Sequence, residues 1–275
     1  MNSLSVSRAT ALFLLLGGLL APAAVRAQTN IAILQKADAL AGERKYNAAF
    51  KLLNSYDPRN ERPAVLLQKE DLALRFNVGH TQYRKFSFKD LHLTDNIEEF
   101  RSPDSTYTSY DFPLGRALRA LKRRYPNDYK LDRGLADYYF AVQQCSCAET
   151  SKEEEELFPL IVRYYENAHE HGYGDYVSYF ALGYSFQRLG MFQESVAPFL
   201  RSIELRSAYP EAHLNLAFVY LELKQYEKAQ DQAQKAVELY TDSQHKADAQ
   251  FLLKSIEERL QTKAAKAEAE PKKTP

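Results

Sequence analysis

The sequence predicts an all-α solenoid of antiparallel helical hairpins, and three observations carry that prediction. Two stretches overlay at an offset of 34 residues: Leu182 on Leu216, Gly183 on Ala217, Phe186 on Tyr220, Phe192 on Tyr226, Ser195 on Ala229, Ser202 on Ala236, Ile203 on Val237 and Leu205 on Leu239. A period of about 20 to 50 residues means stacked units, each burying its apolar face only against its neighbours. Within each stretch the apolar residues recur at intervals of three and four, which places them on one stripe of a helix. Between the helices stands Gly190, the residue that supplies a left-handed backbone at a turn. An architecture of this kind points to a binding surface and away from a reaction centre.

The elements follow in order. Arg8 precedes an apolar run from Ala9 to Leu20, Pro22 breaks it, and Val25-Arg26-Ala27 offers small residues at the cleavage positions. Residues 1–27 are therefore expected to be a signal peptide, cut after Ala27, and the protein to be exported, periplasmic or extracellular. The run is shorter than the roughly 20 residues of a membrane span, and no later segment is long and apolar enough to be one. No Cys follows the cleavage site to carry a lipid. Residues 28–57 read as a degenerate hairpin, with Ile33, Ala37 and Leu40, then Tyr46, Ala49 and Leu53. Residues 58–175 read as two more hairpins with insertions. Pro63 to Phe76 is expected to pair with Pro113 to Tyr125 across an insertion at about 80–112. Leu135, Ala136 and Tyr139, behind the Pro126-Asn127-Asp128 turn, are expected to pair with Phe158 to Glu170 across an insertion at 144–157.

The hairpin at 176–209 has Tyr179, Leu182, Gly183, Phe186 and Leu189 on its first helix and Val196, Phe199, Leu200 and Ile203 on its second. Gly183 and Ser202 are small enough to let the two helices approach closely, and Pro198 removes one backbone donor from the second. The hairpin at 210–243 opens with Pro210, suited to a first helical position. It presents Leu216, Ala217 and Tyr220, then Tyr226, Ala229, Ala233 and Ala236. A capping helix is expected at 244–261, with Ala249, Leu252, Leu253, Ile256 and Leu260 covering the last apolar face. Residues 262–275 are expected to be disordered for lack of apolar surface.

A large residue, then Leu-Gly or Leu-Ala, an aromatic three on, a turn followed by an aromatic, then Ala or Ser at helical spacing: this order resembles the tetratricopeptide repeat. The resemblance implies a right-handed superhelix in which the first helices line a concave groove that binds a protein or peptide partner. Carried over by register, it places Arg133, Asp137 and Phe140 in the groove from the third hairpin. The fourth contributes Val177, Phe180, Tyr184, Gln187 and Arg188, and the fifth Glu211, Leu214, Asn215, Phe218 and Leu221. Some relatives hold a C-terminal carboxylate with Lys and Asn. Asn215 falls on one such position, but Phe180 and Tyr184 occupy others, so the groove suits an apolar or aromatic segment, with Arg133 and Arg188 as polar anchors. The 80–112 insertion, with Phe86, Phe88, Phe100, Tyr107 and Tyr110, reads either as a flap over the groove or as a small local hairpin packed on the convex side.

Without the signal, Arg8 and Arg26 leave the 36 basic residues, giving 34 against 36 acidic and a net charge of −2. That balance argues against a nucleic-acid binder, which needs a basic face to displace counterions. No Gly-rich phosphate loop, zinc-protease His-Glu pair or nucleophile elbow is present, so neither catalysis nor a cofactor is expected. Cys145 and Cys147 form a possible disulfide across one residue. With His169 and His171 they also define a second reading, a thiol-redox or metal-handling protein. A third is a structural spacer whose insertions cover its own groove. Ser151 with Glu154, ahead of the acidic run Glu153 to Glu156, has capping-box spacing. Arg116, Arg119 and Arg123 form a basic stripe expected to pair with acidic residues of the next hairpin, or else to meet an acidic partner or anionic lipid.

Overall fold

The computed structural model describes residues 23–92, 106–145 and 154–269. It is mostly helical, a tetratricopeptide-like stack of helix pairs, with eleven helices and one small three-stranded sheet among the described residues. The chain divides into two compact units, Met1–Gly79 with Ser87–Tyr110, and His80–Phe86 with Asp111–Pro275.

In the first unit α1 (Ala23–Gly42), α2 (Tyr46–Tyr56) and α3 (Pro63–Arg75) pack together. Ala37, Ala49, Phe50, Leu53, Val65, Leu66, Leu72 and Ala73 form its core. The turn from α2 to α3 is held by polar groups. Asp57 carboxylate oxygens accept from the amides of Glu61 and Arg62 at 3.1 and 2.9 Å. Lys69, fully buried, donates to the Asp57 carbonyl at 2.6 Å, to Asn60 Oδ1 at 2.8 Å and to Asn54 Oδ1 at 3.1 Å. An ammonium has three donors, and these three acceptors offer a partner for each. Burial lowers the Lys69 pKa to about 8, against the attraction of Asp57.

The 80–112 insertion adds a small sheet to the helical stack. Strands β1 (Gly79–Thr81), β2 (Lys85–Phe88) and β3 (Thr108–Asp111) form a sheet in the order β1-β2-β3. Phe86-Ser87-Phe88 alternates with period two, so both rings leave the strand on one side, and both are fully buried. In the first unit Phe88 stacks on Phe50 with centroids 4.4 Å apart. In the second Phe86 meets Phe112 at 5.9 Å. Phe100 lies outside the described residues.

The second unit holds α4 (Leu114–Arg124), α5 (Tyr129–Cys145), α6 (Glu154–Glu170), α7 (Tyr176–Arg188), α8 (Phe192–Leu205), α9 (Pro210–Glu222), α10 (Tyr226–Leu239) and α11 (Ser243–Ala269). Each helix packs on the next, with α5/α6, α7/α8 and α9/α10 as the closest pairs. The hairpin expected from 63–76 with 113–125 is therefore corrected. Its halves fall in different units, α3 with α1 and α2, and α4 with α5.

The 34-residue register is physical. Leu182, Gly183, Phe186, Ser195, Phe199 and Ser202 are buried, and so are Leu216, Ala217, Tyr220, Ala229, Ala233 and Ala236. Volume is traded between the repeats. A methyl group on Gly183 would stand 2.9 Å from the Phe199 ring, whereas one repeat later Ala217 and Ala233 share the equivalent positions. Ser202 Oγ donates to the Tyr176 carbonyl at 2.7 Å, tying α8 to α7.

The turn inside the hairpins recurs as well. Met191 N bonds Phe186 O at 2.9 Å and Gln225 N bonds Tyr220 O at 2.8 Å. In the first unit Lys45 N bonds Leu40 O at 2.8 Å. This six-to-one bond needs a left-handed residue one position earlier. Gly190 takes it at φ 72°, Lys224 at 58° and Arg44 at 59°. The α1/α2 pair thus shares the repeat's turn although its sequence signature is weak.

The capping helix also departs from expectation. Disorder from Thr262 does not hold over Thr262–Ala269, because α11 runs to Ala269. Ala, Lys and Glu are strong helix formers, and Lys263 anchors the extension by bonding Glu227 of α10 at 2.7 Å. Residues 270–275 lie outside the described residues. So do 1–22, most of the expected signal; the expected cleavage position after Ala27 falls within α1.

Candidate functional site

The first helices α5, α7 and α9 carry the thirteen residues that the register assigns to a groove. All are at least partly exposed, Val177 and Arg188 more than the rest. Their surroundings differ along the face.

On α5 the polar anchor is already engaged. Arg133 Nε donates to both oxygens of Asp137, at 2.9 and 2.7 Å. Its Nη2 reaches Asp175 at 3.1 Å and its Nη1 the Tyr173 carbonyl at 3.3 Å. Tyr165 donates to Asp137 Oδ1 at 2.7 Å. Burial opposes the Arg133 charge, but Asp137, Tyr165 and Asp175 overcome it and raise its pKa. Arg133 and Asp137 thus join the third hairpin to the fourth, which corrects the reading of Arg133 as an open anchor. Asp175 also caps α7, accepting from Ser178 N at 2.9 Å while Ser178 Oγ accepts from Asp175 N at 2.9 Å. Asp-x-x-Ser ahead of an apolar run was a readable signal for that start.

Aromatic rings continue the face from α5 to α7. Phe140 meets Tyr184 edge-on at 5.9 Å. Tyr184 in turn lies 6.2 Å from both Phe158 and Phe180. Phe180 also meets Tyr209 at 5.3 Å. Arg188 Nη1 donates to the Tyr184 hydroxyl at 3.1 Å, and its guanidinium lies 5.6 Å from the Phe158 centroid. Sequence reasoning missed Phe158 and Tyr209 because one lies on a second helix and the other stands in the inter-repeat turn. On α9, Phe218 meets Phe192 at 6.2 Å. Leu221 packs on the Phe199–Ile256 cluster and Leu214 on the Ala236–Tyr240 cluster. Asn215 donates to the Glu211 carbonyl at 2.8 Å, so one of its two amide donors is engaged within the helix. The face is a set of partly exposed rings, the form that aromatic anchors take in protein interfaces.

The two histidines of the metal reading are engaged with other groups. His169 Nε2 lies 3.0 Å from Ser178 Oγ, with its ring against Tyr179 and Tyr165. His171 stacks on Tyr129 at 3.3 Å. Burial, with Arg133 nearby, lowers the His169 pKa to about 4. Among the described residues no group of three His, Cys, Asp or Glu side chains is placed to hold a metal ion. Cys145, at the end of α5, is disulfide-bonded, and Cys147 lies outside the described residues. Ser151 and Glu153 lie outside them too; α6 starts at Glu154. The basic stripe on α4 does not pair as expected: Arg119 meets the Tyr139 hydroxyl at 3.4 Å rather than an acid. No helix among the described residues is long and apolar enough to cross a membrane.

Residues 210–243 match the tetratricopeptide repeat. The chain thus carries one such repeat within a tetratricopeptide-like stack of helix pairs. No curated protein matches it. Similar solved structures include TTC0263, a thermophilic tetratricopeptide-repeat protein of Thermus thermophilus, at 16% identity over 82% of this chain and 97% of that one, with a TM-score of 0.46. MamA AMB-1 is similar at 19% identity over 76% and 98%, with a TM-score of 0.48. MamA MSR-1 is similar at 18% identity over 78% and 96%, with a TM-score of 0.47.

Proposed function

We propose that this chain is a non-catalytic scaffold that is exported to the cell envelope and binds a protein partner across the face of α5, α7 and α9. The observation that supports this reading is the row Phe140, Tyr184 and Phe180, rings fixed by their neighbours yet partly exposed. Side chains already held in place lose little freedom on binding, so more of the contact energy appears as affinity. Aromatic anchors of this kind dominate interface energetics, and truncating one costs about 2 kcal/mol or more, roughly thirtyfold in Kd.

The test is crosslinking in cells from a photoreactive residue at Tyr184, with Leu200 on α8 as the control position. A discrete adduct from Tyr184 alone, lost in a Phe180→Ala/Phe218→Ala double variant that keeps its helical content, supports the reading. Self-adducts only, or equal labelling from both positions, would favour a spacer. Export carries a covalent corollary, a Cys145–Cys147 bond suited to an oxidising compartment. Mass spectrometry after alkylation should find no free thiol and an N-terminus at Gln28, whereas two alkylated thiols in the unreduced protein would exclude the bond.

A further inference from the structure

A second site lies away from that face. Arg84 and Lys85, from the β1–β2 turn and the start of β2, and Arg116, from the first turn of α4, line one cavity of about 400 Å³. Thr81, Gln82 and Asp111 contribute to the same wall. All six are exposed, and the three cations form no ion pair among the described residues. Three positive charges thus share a concave space with one carboxylate, although like charges repel at such range. Asp111 offsets only one of the three charges; a bound anion would offset the rest.

The backbone that presents these groups is unusually constrained. Gln82 and Tyr83 are consecutive non-glycine residues at φ 48° and 51°, a left-handed pair that a two-residue hairpin turn normally reserves for Asn and Gly. The turn is fixed on every side. Thr81 O accepts from Arg84 N at 2.9 Å, Arg84 O from Phe112 N at 2.7 Å, and Tyr83 O from Leu114 N at 3.3 Å. The Tyr83 ring is buried, and its hydroxyl donates to the Ala141 carbonyl of α5 at 3.2 Å. Tyr83 thus pins the turn to α5, while its neighbours Gln82 and Arg84 face the cavity.

We propose that this cavity is an anion site that takes a phosphate-bearing ligand of small-molecule size. Two guanidinium forks match the paired oxygens of a phosphate, which an ammonium meets as a point charge. Gln82 and Thr81 supply neutral donors, and the volume lies in the range of small-molecule pockets. The phosphate belongs either to a soluble compound or to a lipid headgroup, and the two sources separate by experiment.

The probe is inorganic pyrophosphate, titrated calorimetrically into the full chain at low salt. Saturable one-to-one binding that weakens as salt is added is expected. Arg116→Ala, and separately the pair Arg84→Ala/Lys85→Ala, should each weaken it about tenfold or more. Asp111→Asn should tighten it several-fold by removing the one opposing charge, a gain that misfolding cannot imitate. Arg123→Ala, on the same helix but outside the cavity, should bind as the parent does. Sedimentation with phosphatidylglycerol vesicles then assigns the source: association competed by pyrophosphate identifies a headgroup site, and pyrophosphate binding without vesicle association identifies a soluble ligand. No saturable binding up to about 10 mM, unchanged affinity in both cation variants, or weaker binding by Asp111→Asn would each overturn the proposal.

Discussion

Substituting Gly183 tests how closely α7 and α8 approach. An added Cβ would meet Cδ1 and Cγ of Phe199 at 2.9 Å and Cε1 at 3.0 Å. These are atoms of a ring that is itself fully buried, so the ring cannot simply swing into solvent. Two effects oppose each other. Alanine is the better helix former by about 1 kcal/mol. Overpacking a close-packed core costs about 1–3 kcal/mol. The second should win, leaving Gly183→Ala destabilised by up to about 2 kcal/mol, which lowers Tm by a few degrees at about 2–4 °C per kcal/mol for a chain of this size. The assay is thermal and urea unfolding in two backgrounds, the parent and Phe199→Leu, whose smaller side chain leaves room for the methyl. There the propensity gain should emerge and the sign reverse, a coupling of about 2 kcal/mol. Equal effects in both backgrounds, or a rise in Tm in the parent, would refute the packing argument.

The same position of successive turns offers a reciprocal pair. Gly190→Ala should cost about 1 kcal/mol and Lys224→Gly should be neutral or stabilising by up to about 1 kcal/mol, because only glycine takes the left-handed region without strain; urea midpoints that move in the same direction would contradict this. His169 predicts a pH dependence. Its pKa in the folded chain is about 4, below the ordinary value near 6.5, so the unfolded chain binds the proton first. Stability should therefore fall as pH drops from about 6.5 to about 4 and level off below that. His169→Gln should remove that part of the slope, and a parent-minus-variant difference that stays flat across the interval would exclude the assignment.

The sequence was most legible where one unit repeats. From α7 to α10, helical spacing, Gly190 and Pro210 all mark the same boundaries, and burial follows the marks. Legibility faded where partners are distant. Phe86-Ser87-Phe88 alternates in a way that reads as strand, but it lies in an insertion where the repeat register gives no partner. Nothing local in Pro63–Phe76 says that it packs with α1 and α2 rather than with Pro113–Tyr125. The candidate face shows the same limit. The register placed its thirteen residues on α5, α7 and α9, but Asp175, which occupies the Arg133 guanidinium, lies 42 residues further along the chain. Arg84, Lys85 and Arg116 likewise share a cavity only because a strained turn is pinned beside α4.

By itself the sequence determined the helix-pair repeat, its turn and the stripe that each pair buries, because these follow from backbone periodicity and from contacts within one unit or between adjacent ones. Tertiary structure alone decided which charges are spent, which rings stay partly open and which cations meet in one cavity. Those outcomes depend on side chains brought together from distant parts of the chain, where local pattern carries no information about distance.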